Sequence, residues 1–343
     1  MEKGHKRVLP GFERLRIILM FFMCIDLFGL PTTAGELIRT MCGFVPIAFF
    51  ILSGYLVLRD DDDRPARILR GIKRTAIVFG VLFVVYFVMN YFYYRQQGAN
   101  ILPVFSEWRF WFNFLVMNVW QFEIGNAIWY VQALLYAYII IYFLDKWKLL
   151  KYDRLIAAVL LLITVLTGEF AGIFKWNVAG YTYLPGNFLT RALPYVLLGA
   201  FLHRKMKTFG AVRRLWYRLA IVGGIILTII EPIILGTAGV PGYYGHLLGY
   251  GVVAVSVCML AFKDNKESGF ESTLKMSRWH TNCIYYFCQP VSFLVALIMS
   301  RLDKEIIANL IGFVGIIVFI ISFGLAWLVA YIGRTYFKKK TNG

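Results

Sequence analysis

The chain has 343 residues, of which 59% are hydrophobic and only 16% charged. That balance excludes an ordinary soluble domain, in which charged residues make up about a quarter. A net charge of +17 suggests nucleic acid as a partner, but the basic residues cluster at the ends of apolar runs and form no aromatic-interleaved basic domain, which argues for no nucleic acid.

Apolar runs long enough to cross about 30 Å of hydrocarbon recur along the whole chain. In order they predict ten spans: 15–31, 40–58, 74–94, 126–144, 153–170, 188–203, 217–236, 245–262, 280–300 and 306–333. The first lacks a small-residue cleavage site and reads as a retained span, not a signal peptide. The expected fold class is therefore an all-α polytopic membrane protein, a single membrane-embedded domain over 1–343 with short basic tails at 1–14 and 334–343. An even number of spans puts both termini on one side. With that side cytoplasmic, 29 Lys and Arg fall inside and 7 outside, as the positive-inside rule requires.

The segments between spans are informative too. Residues 95–125 are too interrupted for a span, and Trp108, Trp111 and Trp120 predict an interfacial or re-entrant helix there. Segments 171–187 and 236–245, rich in glycine and proline, are expected to be external turns. No internal repeat is visible, which weighs against an inverted-repeat transporter. Cys24, Cys42, Cys258, Cys283 and Cys288 lie in or beside apolar runs, as packing residues do, without disulfide or zinc-ligand spacing.

No Walker A run, GxSxG elbow or HExxH is present. The candidates that remain are polar residues within spans, which are costly in hydrocarbon. Asp26, deep in the first span, is either the partner of a neighbouring arginine or backbone amide, or a site residue. Glu231, before Pro232, reads as an interfacial carboxylate on a kink, and Glu169 with Arg191 as a structural pair. Ser53-Gly54-Tyr55 reads as a close backbone approach.

The run Asp60–Asp63 with Arg64-Pro65 marks a helix start, Asp63 as N-cap and Pro65 in the first turn. Beyond it Arg67, Arg70, Lys73 and Arg74 recur at helical spacing, suited to anionic lipid headgroups or to the phosphates of a cytoplasmic ligand. His5 and His203 stand at cytoplasmic ends among basic residues, and His246 and His280 begin the eighth and ninth spans with no local carboxylate. "TNCIYYFCQPV" (281–291) opens the ninth span with unusual polarity. It is expected to line a cavity, with Pro290 breaking the backbone ladder.

Several of these landmarks come in a set order: Arg16 opening the first span, "FVPIAFFILSGYLVLR" (44–59), "AIWYVQALLYAYIIIYFL" (127–144), "NFLTRALPYVLLGAFLHRK" (187–205) and "CIYYFCQPV" (283–291). Together they resemble the acyltransferase-3 family of bacterial integral-membrane O-acyltransferases, over nearly the whole chain. The resemblance implies transfer of an acyl group, usually acetyl, from cytoplasmic acyl-CoA to a hydroxyl of a cell-surface glycan or lipid-linked sugar. The location implied is the bacterial cytoplasmic membrane. The implied partners are the lipid bilayer, the glycan acceptor, and either further copies of the chain or polysaccharide synthesis machinery.

Members of that family commonly carry a His eleven residues after the first-span Arg and another in an "IYxxHP" motif, imidazole being suited to take a proton from a sugar hydroxyl. Here Leu27 stands eleven residues after Arg16, with Asp26 one step earlier, and Gln289 stands at the second position. Glutamine takes up no proton at neutral pH; it orients a hydroxyl or carbonyl. The resemblance thus implies Asp26 as base and Gln289 as orienting group. It also implies Arg16, Ser53, Tyr55, Trp129, Tyr130, Arg191 and Tyr285 as substrate contacts, with Arg67, Arg70, Lys73 and Arg74 on the CoA phosphates. The alternative is a non-catalytic relative, a glycan translocator or accessory subunit.

Overall fold

The computed structural model describes residues 10–28, 33–59, 63–167, 187–237, 247–264, 278–303 and 310–341. Among them every regular element is helical. The principal helices are α1 (Pro10–Phe28), α2 (Thr33–Met41), α3 (Phe44–Val57), α4 (Arg64–Gln96), α5 (Ile128–Lys146) and α6 (Asp153–Thr167). They continue as α7 (Leu193–Arg204), α8 (Arg214–Thr237), α9 (Leu248–Lys263), α10 (Arg278–Met299) and α11 (Val314–Thr341).

Each of the ten expected spans meets a helix. Six stretches are long and apolar enough to cross a bilayer: Gly35–Val57, Arg64–Gln96, Ile128–Lys146, Arg214–Thr237, Thr281–Met299 and Val314–Ile332. The remaining helices fall short for separate reasons. α1 carries Glu13, Arg14, Arg16 and Asp26 within its 19 residues. α6, α7 and α9 have only 15, 12 and 16 residues.

α4 begins at Arg64, where the Asp63-Arg64-Pro65 run predicts a helix start, and its 33 residues extend the expected span 74–94 back through the basic stretch. Arginine and lysine are good helix formers, so the basic stretch extends the helix instead of ending it. Asp63 is its N-cap and Pro65 lies in its first turn, as expected, but no side-chain cap bond forms. The Asp63 carboxylate instead pairs with Arg70 at 2.6 Å and with Arg67 at 3.7 Å. Asp60, Asp61, Asp62, Glu169, His5 and His246 lie outside the described residues, as do most of segments 171–187 and 236–245.

Two compact units account for the internal packing, the first comprising Met1–Cys42, Gly210–Ile221 and Val255–Gly343, the second Gly43–Phe209 and Val222–Ala254. In the first, α1 packs on α10 and α11. A Cβ at Gly315 would lie 3.1 Å from the Cys24 carbonyl oxygen, and Phe21 meets Phe319 edge-on at 5.3 Å.

The second unit is organised by α3 against α7 and α4 against α5. Gly54 and Gly199 let the first pair touch main chain to main chain. A Cβ at Gly54 would run into the Val196 carbonyl oxygen, and one at Gly199 into the Ile51 carbonyl oxygen. This is the small-residue contact by which membrane helices associate. α8 and α9 repeat the device, where a Cβ at Gly249 would stand 2.5 Å from the Gly224 carbonyl oxygen.

The segment after α4 forms no span. Its Phe110, Phe114, Trp120 and Phe122 are buried, with Phe79 stacked on Phe114 and Phe83 edge-on to Trp120. Trp108 is 70% exposed and Trp111 is exposed as well, as an interfacial segment requires. Trp120 departs from that expectation, being 7% exposed with its indole N–H donating to the Ile124 carbonyl at 2.6 Å.

Candidate functional site

The start of α5 is the chemically richest place in the second unit. Two π-helical turns flank it, Phe112–Val116 and Phe188–Ala192, a geometry frequent at functional sites. Asn187 caps the second turn, its side-chain oxygen accepting from the Leu189 N–H at 2.8 Å. Thr164 of α6 ties the same turn down by donating to the Thr190 carbonyl at 3.0 Å. So fixed, Arg191 holds its guanidinium over the Trp129 ring, 4.8 Å from the centroid. The Arg191 Nε is buried without a hydrogen-bond partner among the described residues.

α3 completes this aromatic face. Phe50 stacks on Tyr130 with centroids 4.7 Å apart and meets Trp129 at 6.2 Å. One turn along α5, the fully buried Gln132 donates to the Phe114 carbonyl at 2.6 Å and to the Tyr136 hydroxyl at 3.2 Å, while its own carbonyl oxygen has no partner among the described residues. Asn118, in a left-handed conformation at φ 60°, donates to the Trp129 carbonyl at 3.1 Å, and its Oδ1 is likewise unsatisfied. A buried amide carbonyl without a donor costs about 1–3 kcal/mol. Asn118, Gln132 and Arg191 thus each leave one buried polar atom unsatisfied among the described residues around the start of α5.

At the other end of α3, Ser53 is half-buried and Tyr55 packs edge-on against His203 at 4.8 Å. The four proposed phosphate contacts on α4 divide. Arg67 is committed to the Val57 and Arg59 carbonyls, at 3.2 and 2.8 Å, and Arg70 to Asp63, whereas Lys73 and Arg74 are exposed. Glu231 proves to be a cap, not merely a carboxylate at a kink: its two oxygens accept from the Leu248 and Gly249 N–H groups, at 3.0 and 3.1 Å, at the start of α9.

The first unit holds the other candidates. Arg16 is 8% exposed and pairs with Glu13 at 3.3 Å. Asp26 is half-buried in the last turn of α1, where its carbonyl accepts from the Arg39 Nε at 3.2 Å. At 100° per residue Leu27 lies about 20° from Arg16 around the helix and Asp26 about 80° away. The one-step displacement therefore moves the carboxylate to a different face from the one Arg16 occupies.

On α10, Thr281, Tyr285 and Gln289 stand one turn apart on one face and are 1%, 6% and 6% exposed, a polar seam inside the unit. Cys288 donates to the Tyr285 carbonyl at 3.1 Å. α10 continues through Pro290, so the expected break amounts to one missing ladder bond.

The Acyl_transf_3 family, an acyltransferase domain, matches residues 9–332. The chain belongs to the acyltransferase-3 family. Searches of curated proteins and of solved structures give no significant match. With six helices apolar enough to span among the described residues, this acyltransferase-3 chain is a multi-pass membrane protein.

Within that family frame, the residues named from the sequence fall in both units. Arg16, Asp26, Tyr285 and Gln289 belong to the first, and Ser53, Tyr55, Trp129, Tyr130, Arg191, Arg67, Arg70, Lys73 and Arg74 to the second. The "IYxxHP" register, counted back from Gln289, places the motif tyrosine at Tyr286, while Tyr285 is the buried one. Sequence reasoning missed Asn118 and Gln132. The available signal was a lone amide on each side of an aromatic pair, but their partners lie 11 and 18 residues away.

Proposed function

We propose that this acyltransferase-3 chain moves an acyl group, acetyl in the first instance, from cytoplasmic acyl-CoA to a hydroxyl of a cell-surface glycan or lipid-linked sugar. The observation that carries the reading is the family match over residues 9–332. In this reading the chain crosses the bacterial plasma membrane ten times with both termini in the cytoplasm, supported by the 29-to-7 division of Lys and Arg. The sugar oxygen attacks the thioester carbonyl carbon, the new C–O bond forms as the C–S bond breaks, and the hydroxyl proton ends on the departing CoA sulfur. Asp26 carries that proton between them, Gln289 donates to the thioester oxygen, and Arg16 binds a phosphate. In the second unit Trp129 and Arg191 offer an aromatic face and a donor, suited to a sugar ring and its oxygens.

A second reading follows from Leu27 and Gln289 standing where the family commonly has histidine. Without imidazole, the chain would act as a glycan translocator or as an accessory subunit of polysaccharide synthesis. Reconstituted protein with radiolabelled acetyl-CoA and a membrane glycan fraction separates the two. Label transferred by wild type and lost with Asp26→Asn supports acyl transfer. No transfer, alongside glycan export that depends on the protein, supports the second reading and overturns the first.

A further inference from the structure

A crevice of about 400 Å³ opens in the second unit where the end of α5, the start of α6 and the end of α7 come together. Its size lies within the range of about 300–1,000 Å³ usual for small-molecule sites. Its charge is unbalanced. The carboxylates, Asp145 and Asp153, are both occupied: Arg64 pairs with Asp145 at 2.8 Å, and Arg204 pairs with Asp153, which is 2% exposed. These pairs anchor two arginines in the wall, their side chains still 28% and 30% exposed.

Three more cations line the same crevice, Lys148, Lys151 and Arg154, and none forms an ion pair among the described residues. Lys151 sits 4.9 Å from the Tyr152 ring centre and Arg154 5.9 Å from that of Phe201. Lys148 adopts the left-handed conformation, φ 59°, which turns the chain sharply between α5 and the helical turn before α6. A non-glycine residue with a positive φ is uncommon. All three cations are exposed, so water screens their mutual repulsion, and an anion entering the crevice relieves what remains.

We propose that this crevice binds the phosphates of a soluble nucleotide ligand, and that in the acyl-transfer reading, on which this assignment rests, it seats the bisphosphorylated adenosine end of the acyl-CoA donor. Arg64 and Arg204, planar and pre-aimed by their carboxylates, make the directional contacts. Lys148, Lys151 and Arg154 supply the net charge. The phosphate contacts thus centre on the α5–α6 turn, where five cations line one crevice. Anionic lipid headgroups share the same phosphate chemistry and are the competing source.

The test is binding of adenosine 3′,5′-bisphosphate and of acetyl-CoA to the full chain, by calorimetry in a neutral detergent and again in phosphatidylglycerol nanodiscs. The variant is Lys148→Asn/Lys151→Gln/Arg154→Gln, since asparagine tolerates the left-handed position, and Arg213→Gln/Arg218→Gln, at two exposed cations that do not line the crevice, is the control. Both are checked by size exclusion and thermal melting. The assignment expects the triple variant to weaken both ligands about tenfold or more, with the control within twofold of wild type. Unchanged binding in the folded triple variant overturns it, as does loss of nucleotide binding in the phosphatidylglycerol discs, which would give the crevice to lipid. A wild-type chain that binds neither ligand in either setting overturns the acyl-CoA reading itself and the crevice with it.

Discussion

Arg191 and Trp129 meet as cation and ring, 4.8 Å from guanidinium carbon to centroid, although 62 positions separate them in the chain. A desolvated contact of this kind is worth about 2 kcal/mol. Arginine makes it as a flat group lying over a flat ring, which lysine does not reproduce. Arg191→Lys is expected to lower acyl transfer about tenfold, chiefly through KM for the acceptor. A double-mutant cycle with Trp129→Leu should return a coupling of about 1–2 kcal/mol in melting experiments. Independent effects of the two substitutions would count against the pair.

The crossing of α3 and α7 yields a stability prediction. Gly54→Val and Gly199→Val each place a side chain where a carbonyl oxygen already stands. Overpacking costs about 1–3 kcal/mol, and a backbone collision is at the upper end or beyond. Thermal unfolding in micelles should show a lower midpoint for either variant. Gly80→Ala, with open space around its Cβ on α4, should leave the midpoint unchanged or raise it slightly.

Glu231 predicts a loss of another kind. Its carboxylate takes two backbone N–H groups at the head of α9. Glu231→Ala is expected to destabilise the chain by about 1–3 kcal/mol. Glu231→Gln keeps one acceptor oxygen and should lose less. Hydrogen exchange at Leu248 and Gly249 should quicken in the alanine variant before the rest of α9 responds.

The faces of α1 make the proton chemistry testable in both directions. Asp26→Asn should abolish transfer if the carboxylate is the base. Leu27→His, placed on the Arg16 face, should then restore measurable transfer to the Asp26→Asn chain, and adding Gln289→His should raise it further. A double or triple variant as silent as Asp26→Asn alone would show that imidazole on the Arg16 face does not replace the Asp26 carboxylate.

Much of the helical layout was legible, because apolar runs and basic span ends are local signals: α5 begins two residues from the expected boundary and α8 three. The start of α4 was legible in Asp63-Arg64-Pro65, although hydropathy begins the apolar run only at 74, because Arg64–Arg74 is polar yet helix-forming. Gly54 could be read as a packing residue, but its partner Gly199 could not, since only the fold sets two such residues against each other. The same holds for Asn90, fully buried, whose side chain bonds both the carbonyl and the N–H of Ile124, 34 positions on. Glu231 showed its charge and its proline neighbour, while its role depends on a helix start 17 residues downstream.

The length of α4 has a consequence for where a soluble ligand can meet the protein. Its 33 residues rise about 50 Å, against about 30 Å of hydrocarbon. If Thr75–Tyr94 fills the hydrocarbon, the turns Arg64–Arg74 form an overhang of about 16 Å reaching through the headgroup layer. Arg64, at the foot of that overhang and clasped by Asp145, then stands in water, so a nucleotide held there need never enter lipid. In the acyl-transfer reading, only the thioester end of the donor would then have to pass inward, its charged end staying at the waterline.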